Sequence, residues 1–81
     1  MVVESRKIKQ IMADVFGINI NNITNDASVD SIEEWDSLNH LKLILALEDE
    51  LNISFSEEET VEIMSYLILV EILKNYKIGI L

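Results

Sequence analysis

No proline interrupts these 81 residues, and only two glycines do. A chain this poor in breakers can run mostly as helix, and its apolar residues fall at helical spacing. Between Val3 and Phe16, Ile8, Ile11, Met12 and Val15 recur three and four apart, on one face, and Gly17 is placed to end that helix. From Ile18 to Asp36 the period fails. Asn19, Asn21, Asn22, Asn25 and Asp26 can bond their own backbone there, which predicts a long loop. So long a loop needs pinning, and Ile18, Ile20, Ile23, Val29, Ile32 and Trp35 are the side chains available to drop onto the helices.

Asp36 is a good N-cap for a second helix running to about Leu51, with Leu43, Ala46 and Leu47 as its inward stripe. Leu38, Leu41 and Leu45 lie on a face leaning toward solvent or a partner. Ser56-Glu57-Glu58-Glu59 is a capping box for a short third helix toward Ile63, and Ser65 can cap a last one. That helix carries Leu67, Ile68, Val70, Ile72 and Leu73 to about Tyr76, with Lys74 and Lys77 at its negative end. The stretch Ile63 to Leu73 reads as buried helix. The expected fold is all-α: a four-helix bundle of three longer helices and one short, with a long loop between the first two. Residues 1–81 make one domain, and the tail Ile78-Gly79-Ile80-Leu81 fits no element.

Composition narrows the chemistry. Fifteen acids against six Lys and Arg leave a net charge of −9, which repels nucleic acid and favours basic protein partners. Without cysteine and with one histidine, neither a thiolate zinc site nor an all-histidine metal site can form, and no calcium loop with its turn glycine is present. The N-terminus has no apolar signal region and no stretch is long enough to span a bilayer, so a cytoplasmic monomer is the expectation. Ser37 opens the second helix, and His40, three residues on and on the same side, is the sole candidate base for it. No oxyanion-hole glycines or second acid complete a triad, which argues against a serine hydrolase and assigns no catalytic residue. Taken alone, Asp36-Ser37 is a helix cap.

The run Glu34-Trp35-Asp36-Ser37-Leu38-Asn39-His40-Leu41, followed by Leu43-Ile44-Leu45-Ala46-Leu47-Glu48-Asp49-Glu50-Leu51, resembles the attachment site and second helix of acyl and peptidyl carrier proteins. The resemblance covers nearly the whole chain. It implies that Ser37 carries 4'-phosphopantetheine from coenzyme A and that the arm's thiol holds acyl or aminoacyl cargo as a thioester. Asp36 would help the modifying enzyme hold its metal, and Leu38 would lie beside the arm. Leu41, Lys42, Leu45, Glu48 and Asp49 would meet partners: a phosphopantetheinyl transferase, an acyl- or aminoacyl-loading enzyme, and a downstream synthase or acyltransferase. Screened acidic contacts suit a shuttle that must release each partner.

Fatty-acid carriers are typically acidic soon after the serine, whereas Asn39, His40 and Lys42 stand here. These set the chain apart from what the usual fatty-acid enzymes recognise, and Trp35 resembles more the stand-alone carriers of polyketide, nonribosomal-peptide or cell-surface pathways; the pathways the resemblance allows are these and fatty-acid synthesis. A cleft between helices two and three, lined by Leu47, Phe55 and Ile63, would shelter a fatty cargo. The rival reading is a small acidic helical adaptor that binds a protein groove without modification.

Overall fold

A computed structural model describes residues 1–81. Helix α1 (Ser5–Phe16) buries Ile8, Met12, Ala13 and Phe16, with Ile11 and Val15 half-buried at the edge of that face. It stops at Gly17, whose φ of 70° is open to glycine without strain and whose amide bonds the Ala13 carbonyl. Val3 lies outside the helix, in a two-residue strand β1 (Val2–Val3).

Helix α2 (Ser37–Leu51) buries Leu43, Ile44, Leu47 and Leu51 and ends on Asn52 in the left-handed conformation, φ 55°. The inward stripe therefore includes Ile44, while Ala46 is only half-buried. Apolar residues nearly encircle this helix, so the packing of α1 decides which of them turn inward. The short α3 (Glu57–Glu62) carries the expected capping box, with both Ser56 and Glu59 side chains bonded across it. It buries none of its own side chains.

The stretch from Ile63 to Leu73 is not one buried helix. The chain leaves helix at Ile63, turns, and restarts when the Ser65 side chain accepts from the Ile68 amide, opening α4 (Tyr66–Lys74). Restarting there sets the buried face to Tyr66, Leu69, Ile72 and Leu73 and turns Leu67 and Ile68 outward, 56% and 37% exposed. The helix also ends before Tyr76, since Lys77 takes a φ of 60°.

Residues 18–36 are pinned as their composition requires, with one 3₁₀ turn at Ile20–Asn22. Ile23, Ala27, Ile32 and Trp35 are buried, and Ile18 and Ile20 half-buried. Val29 is not an anchor. Its amide bonds the Met64 carbonyl and the Tyr66 amide bonds the Ala27 carbonyl, an antiparallel bridge that fastens this loop by backbone and leaves the Val29 side chain outside. Of the five residues expected to bond their own backbone only Asn19 does, accepting from the Asn21 amide; Asn25 accepts from Lys9 Nζ instead, and Thr24 and Ser31 supply the other loop caps.

The C-terminal tail folds back. Strand β2 (Gly79–Ile80) pairs in parallel with β1, Val2 opposite Gly79 and Val3 opposite Ile80, while Ile78 is buried beneath. All 19 buried residues are hydrophobic, so the interior holds no charged or polar cluster that could do chemistry. Any functional group has to work from the surface. No helix is long and apolar enough to cross a membrane.

Candidate functional site

The end of the long loop is fixed before α2 begins. The Trp35 indole is buried, tilted against Phe16 at 5.2 Å and stacked on the His40 ring at 6.3 Å. Asn39 reaches back to donate to the Glu34 carbonyl, 2.8 Å. Asp36 then caps the helix, its carboxylate accepting from the Asn39 amide at 2.8 Å while its carbonyl accepts from the His40 amide. Ser37 follows as the first helical residue, exposed, its hydroxyl making no hydrogen bond within the chain. The amides of Ser37 and Leu38 are among the unpaired donors of a helix start, and the positive end of the macrodipole lies there. A phosphodiester on the Ser37 oxygen would meet these donors, opposed slightly by the Asp36 carboxylate, of which one oxygen caps the helix and the other is free.

His40 does not reach Ser37. Trp35 Nε1 donates to its Nδ1 at 3.0 Å, and because an indole can only donate, Nδ1 is the acceptor and the ring proton sits on Nε2. That proton is given to the Thr60 carbonyl, 2.7 Å away. Both ring nitrogens are committed, so the hydrogen bond that spacing allowed between His40 and Ser37 is replaced by a link from the loop through α2 to α3.

Beside Ser37 lies an open hollow of about 450 Å³, walled by Val29 and Trp35 from the loop, His40 from α2, and Thr60, Val61, Ile63 and Met64 from the α3 end. The expected cleft lined by Leu47, Phe55 and Ile63 is corrected by this arrangement. Leu47 is fully buried, and Phe55 packs edge-on against Tyr76 at 5.7 Å; only Ile63 faces the hollow. A hollow of about 480 Å³ at the start of α1 is polar, lined by Ser5, Arg6, Lys9 and Asn25 among others, and stands apart from Ser37.

Leu38, Leu41 and Leu45 form an exposed stripe along α2, 64%, 55% and 62% open to solvent, with Lys42 and Asp49 also exposed. Glu48 is half-buried and its carboxylate accepts from the Phe55 amide at 2.9 Å, so it fastens the loop after α2. The sequence marked Val29 only as a loop anchor and showed no sign of Thr60, Val61 and Met64 at the site. Val61 and Met64 are exposed apolar residues near Ser37 in space but far along the chain, and no local pattern joins them to it.

Glu59 and Tyr76 hold the far end of α3. The one proton of the Tyr76 hydroxyl is shared between the Glu59 carboxylate and the Ser54 carbonyl, 2.8 Å away. Hydrogen bonds from the Ser56 amide and then from Tyr76 hold the Glu59 carboxyl below its usual range. The same contact, aided by desolvation, pushes Tyr76 up to about 12.

Among known families, residues 6–74 match the one described as the phosphopantetheine attachment site. The acyl carrier protein of Buchnera aphidicola subsp. Baizongia pistaciae (strain Bp) is 35% identical over 71 residues, covering 88% of this chain and 91% of that protein. The acyl carrier protein of Buchnera aphidicola subsp. Schizaphis graminum (strain Sg) is 37% identical over 54 residues, 67% of this chain and 68% of that one.

Proposed function

The chain belongs to the acyl carrier protein family, whose members carry a 4'-phosphopantetheine prosthetic group and are not enzymes, and from that premise we propose that Ser37 Oγ is the point of attachment. The observation that carries the proposal is an exposed hydroxyl without a partner, on the first residue of α2, beside an apolar-walled hollow. Attachment forms the bond from Ser37 Oγ to the phosphorus of coenzyme A nearest the pantetheine as the bond to the nucleotide half breaks. The hydroxyl proton leaves to a base of the transferase, because His40 has no free lone pair to take it. The attached arm supplies a terminal thiol that holds an acyl or aminoacyl group as a thioester.

This chain's own residues then position and present. Asp36 holds the helix start and is offered to the transferase's metal. Leu38, Leu41 and Leu45 give that enzyme, the loading enzyme and the downstream synthase or acyltransferase an apolar stripe to dock on, with Lys42 and Asp49 as charged contacts beside it. Glu48 contributes its field from a fixed position. Asn39, His40 and Lys42 leave less negative charge after the serine than fatty-acid carriers have, which favours a polyketide, nonribosomal-peptide or cell-surface pathway, with fatty-acid synthesis as the alternative. Action in the cytoplasm, with residues 1–81 folded as one monomeric carrier domain, completes the reading.

Intact mass after incubation with coenzyme A, magnesium and a broad-specificity phosphopantetheinyl transferase tests it. A gain of one phosphopantetheine, absent in Ser37→Ala, is expected. If a folded sample gains nothing from two different transferases, the attachment reading is wrong, and partner binding that survives Ser37→Ala would mark an unmodified adaptor.

A further inference from the structure

We infer that His40 is a positioning residue for the wall of the hollow beside Ser37, clamping α3 to α2 through the Thr60 carbonyl. A helix of six residues is too short to persist alone, and α3 buries none of its own side chains against the core. Its start is tied by the capping box and by Tyr76. At its other end the helix stops at Glu62, which leaves Thr60 among the last carbonyls with no amide to bond. His40 Nε2–H supplies that missing donor, and the Trp35 indole supplies the constraint that keeps the proton on Nε2. Beyond this clamp the α3 end is held by the buried Ile63 and by the antiparallel bridge that follows it, in which the Met64 carbonyl accepts from Val29 and the Tyr66 amide donates to Ala27.

The consequence is local. Thr60, Val61, Ile63 and Met64 are the α3 side of the hollow, and its Thr60–Val61 part, ahead of the buried Ile63 and the bridge at Met64, is held by one imidazole from the opposite side. The clamp deepens the proposed function, since an arm or cargo leaving Ser37 would lie against this wall, but its existence does not require Ser37 to be modified.

The test is amide hydrogen exchange on the unmodified chain, with the single tryptophan's indole N–H as a second signal. In His40→Leu, the Thr60 and Ile63 amides are expected to exchange about tenfold faster, while amides in the middle of α1 and α4 keep their rates. The indole signal should lose its hydrogen-bonded shift. His40→Gln, whose carboxamide nitrogen takes the place of Nε2, should restore most of the α3 protection. His40→Asn, too short to reach Thr60, should not. Unchanged α3 exchange in His40→Leu overturns the inference, as does equal acceleration across all helices or a Gln variant as fast as the Leu variant. Intact mass after transferase treatment of the same samples reads the Ser37 assignment separately: failure to load leaves the exchange result to decide the clamp alone.

Discussion

Leu45 and Leu47 stand two residues apart on α2, yet one is 62% exposed and the other 0%. Truncating each to alanine should therefore separate binding from folding. At Leu47 the whole side chain is lost from a closed core, and burial loss plus the residual cavity costs about 3 kcal/mol. A chain of this length has a total stability of roughly 4–12 kcal/mol, so the change is a large share of it. Each kcal/mol corresponds to about 4–8 °C in a domain of this size, which puts the fall in Tm at about 12–24 °C. At Leu45 most of the side chain already meets water, and the cost should stay within about 0.5 kcal/mol. The order reverses for docking. An exposed leucine that seats in a partner loses about 1.4 kcal/mol on truncation, so Leu45→Ala should lower the transferase's kcat/KM about tenfold. Thermal unfolding by circular dichroism and transferase kinetics at 15 °C, where the Leu47 variant is still folded, measure both. Equal losses of Tm, or loading crippled by Leu47→Ala and untouched by Leu45→Ala, would refute the assignment of the two faces.

Four further outcomes are expected. Asp36→Ala should lower Tm by about 4–8 °C through loss of a cap worth about 1 kcal/mol, whereas Asp36→Asn, still able to cap, should keep Tm and lose transferase activity. Glu59 has its carboxyl lowered in the fold, so its contribution is present above the unfolded carboxylate range and is lost as pH falls through the lower folded value. Tyr76 is raised to about 12, so its contribution holds below the free phenol's value of 10 and is lost as pH climbs toward 12. Melts of Glu59→Gln against the parent from pH 3 to 7 should show a gap that narrows at the acid end, and a constant gap would contradict it. With a net charge of −9 the fold repels itself, so Tm should rise with added salt or divalent cations, and a Tm indifferent to salt would contradict that reasoning.

Much of the fold was legible because its signals are local. Gly17, Asp36, Ser56 with Glu59, and Ser65 each start or stop a helix through bonds to residues within four positions, and all of them act where their types and spacing predict. The face of α1 was equally plain. On α2 the outward face of Leu38, Leu41 and Leu45 and the inward Leu43 and Leu47 were readable, whereas apolar residues so nearly surround the helix that only its neighbours decide that Ile44 turns in and Ala46 only half so. The break at Ile63 to Ser65 was marked on both sides, by the third helix ending toward Ile63 and by the Ser65 cap, while the apolar run across it also allowed the mistaken reading of one buried helix from Ile63 to Leu73.

At the site, Ser37 and its cap were readable, and the hollow was not. Its walls come from a loop, α2 and the end of α3, brought together by bonds such as that from His40 to Thr60, 20 positions apart. Spacing alone paired His40 with Ser37, its helix neighbour. What spacing could not reveal was the indole of Trp35 already occupying the ring's lone pair.

The pairing of β1 with β2 bears on how the chain assembles. Joining residue 2 to residue 79 from an open chain would cost about 4 kcal/mol in loop closure, far more than two short strands return. That cost vanishes once the helices have packed and carried both ends to one side. The strands are therefore a clasp fastened after the bundle has formed, and the first part to open when it loosens. Among hydrogen-bonded amides, those of Gly79 and Leu81, which close the clasp onto Met1 and Val3, should exchange earliest.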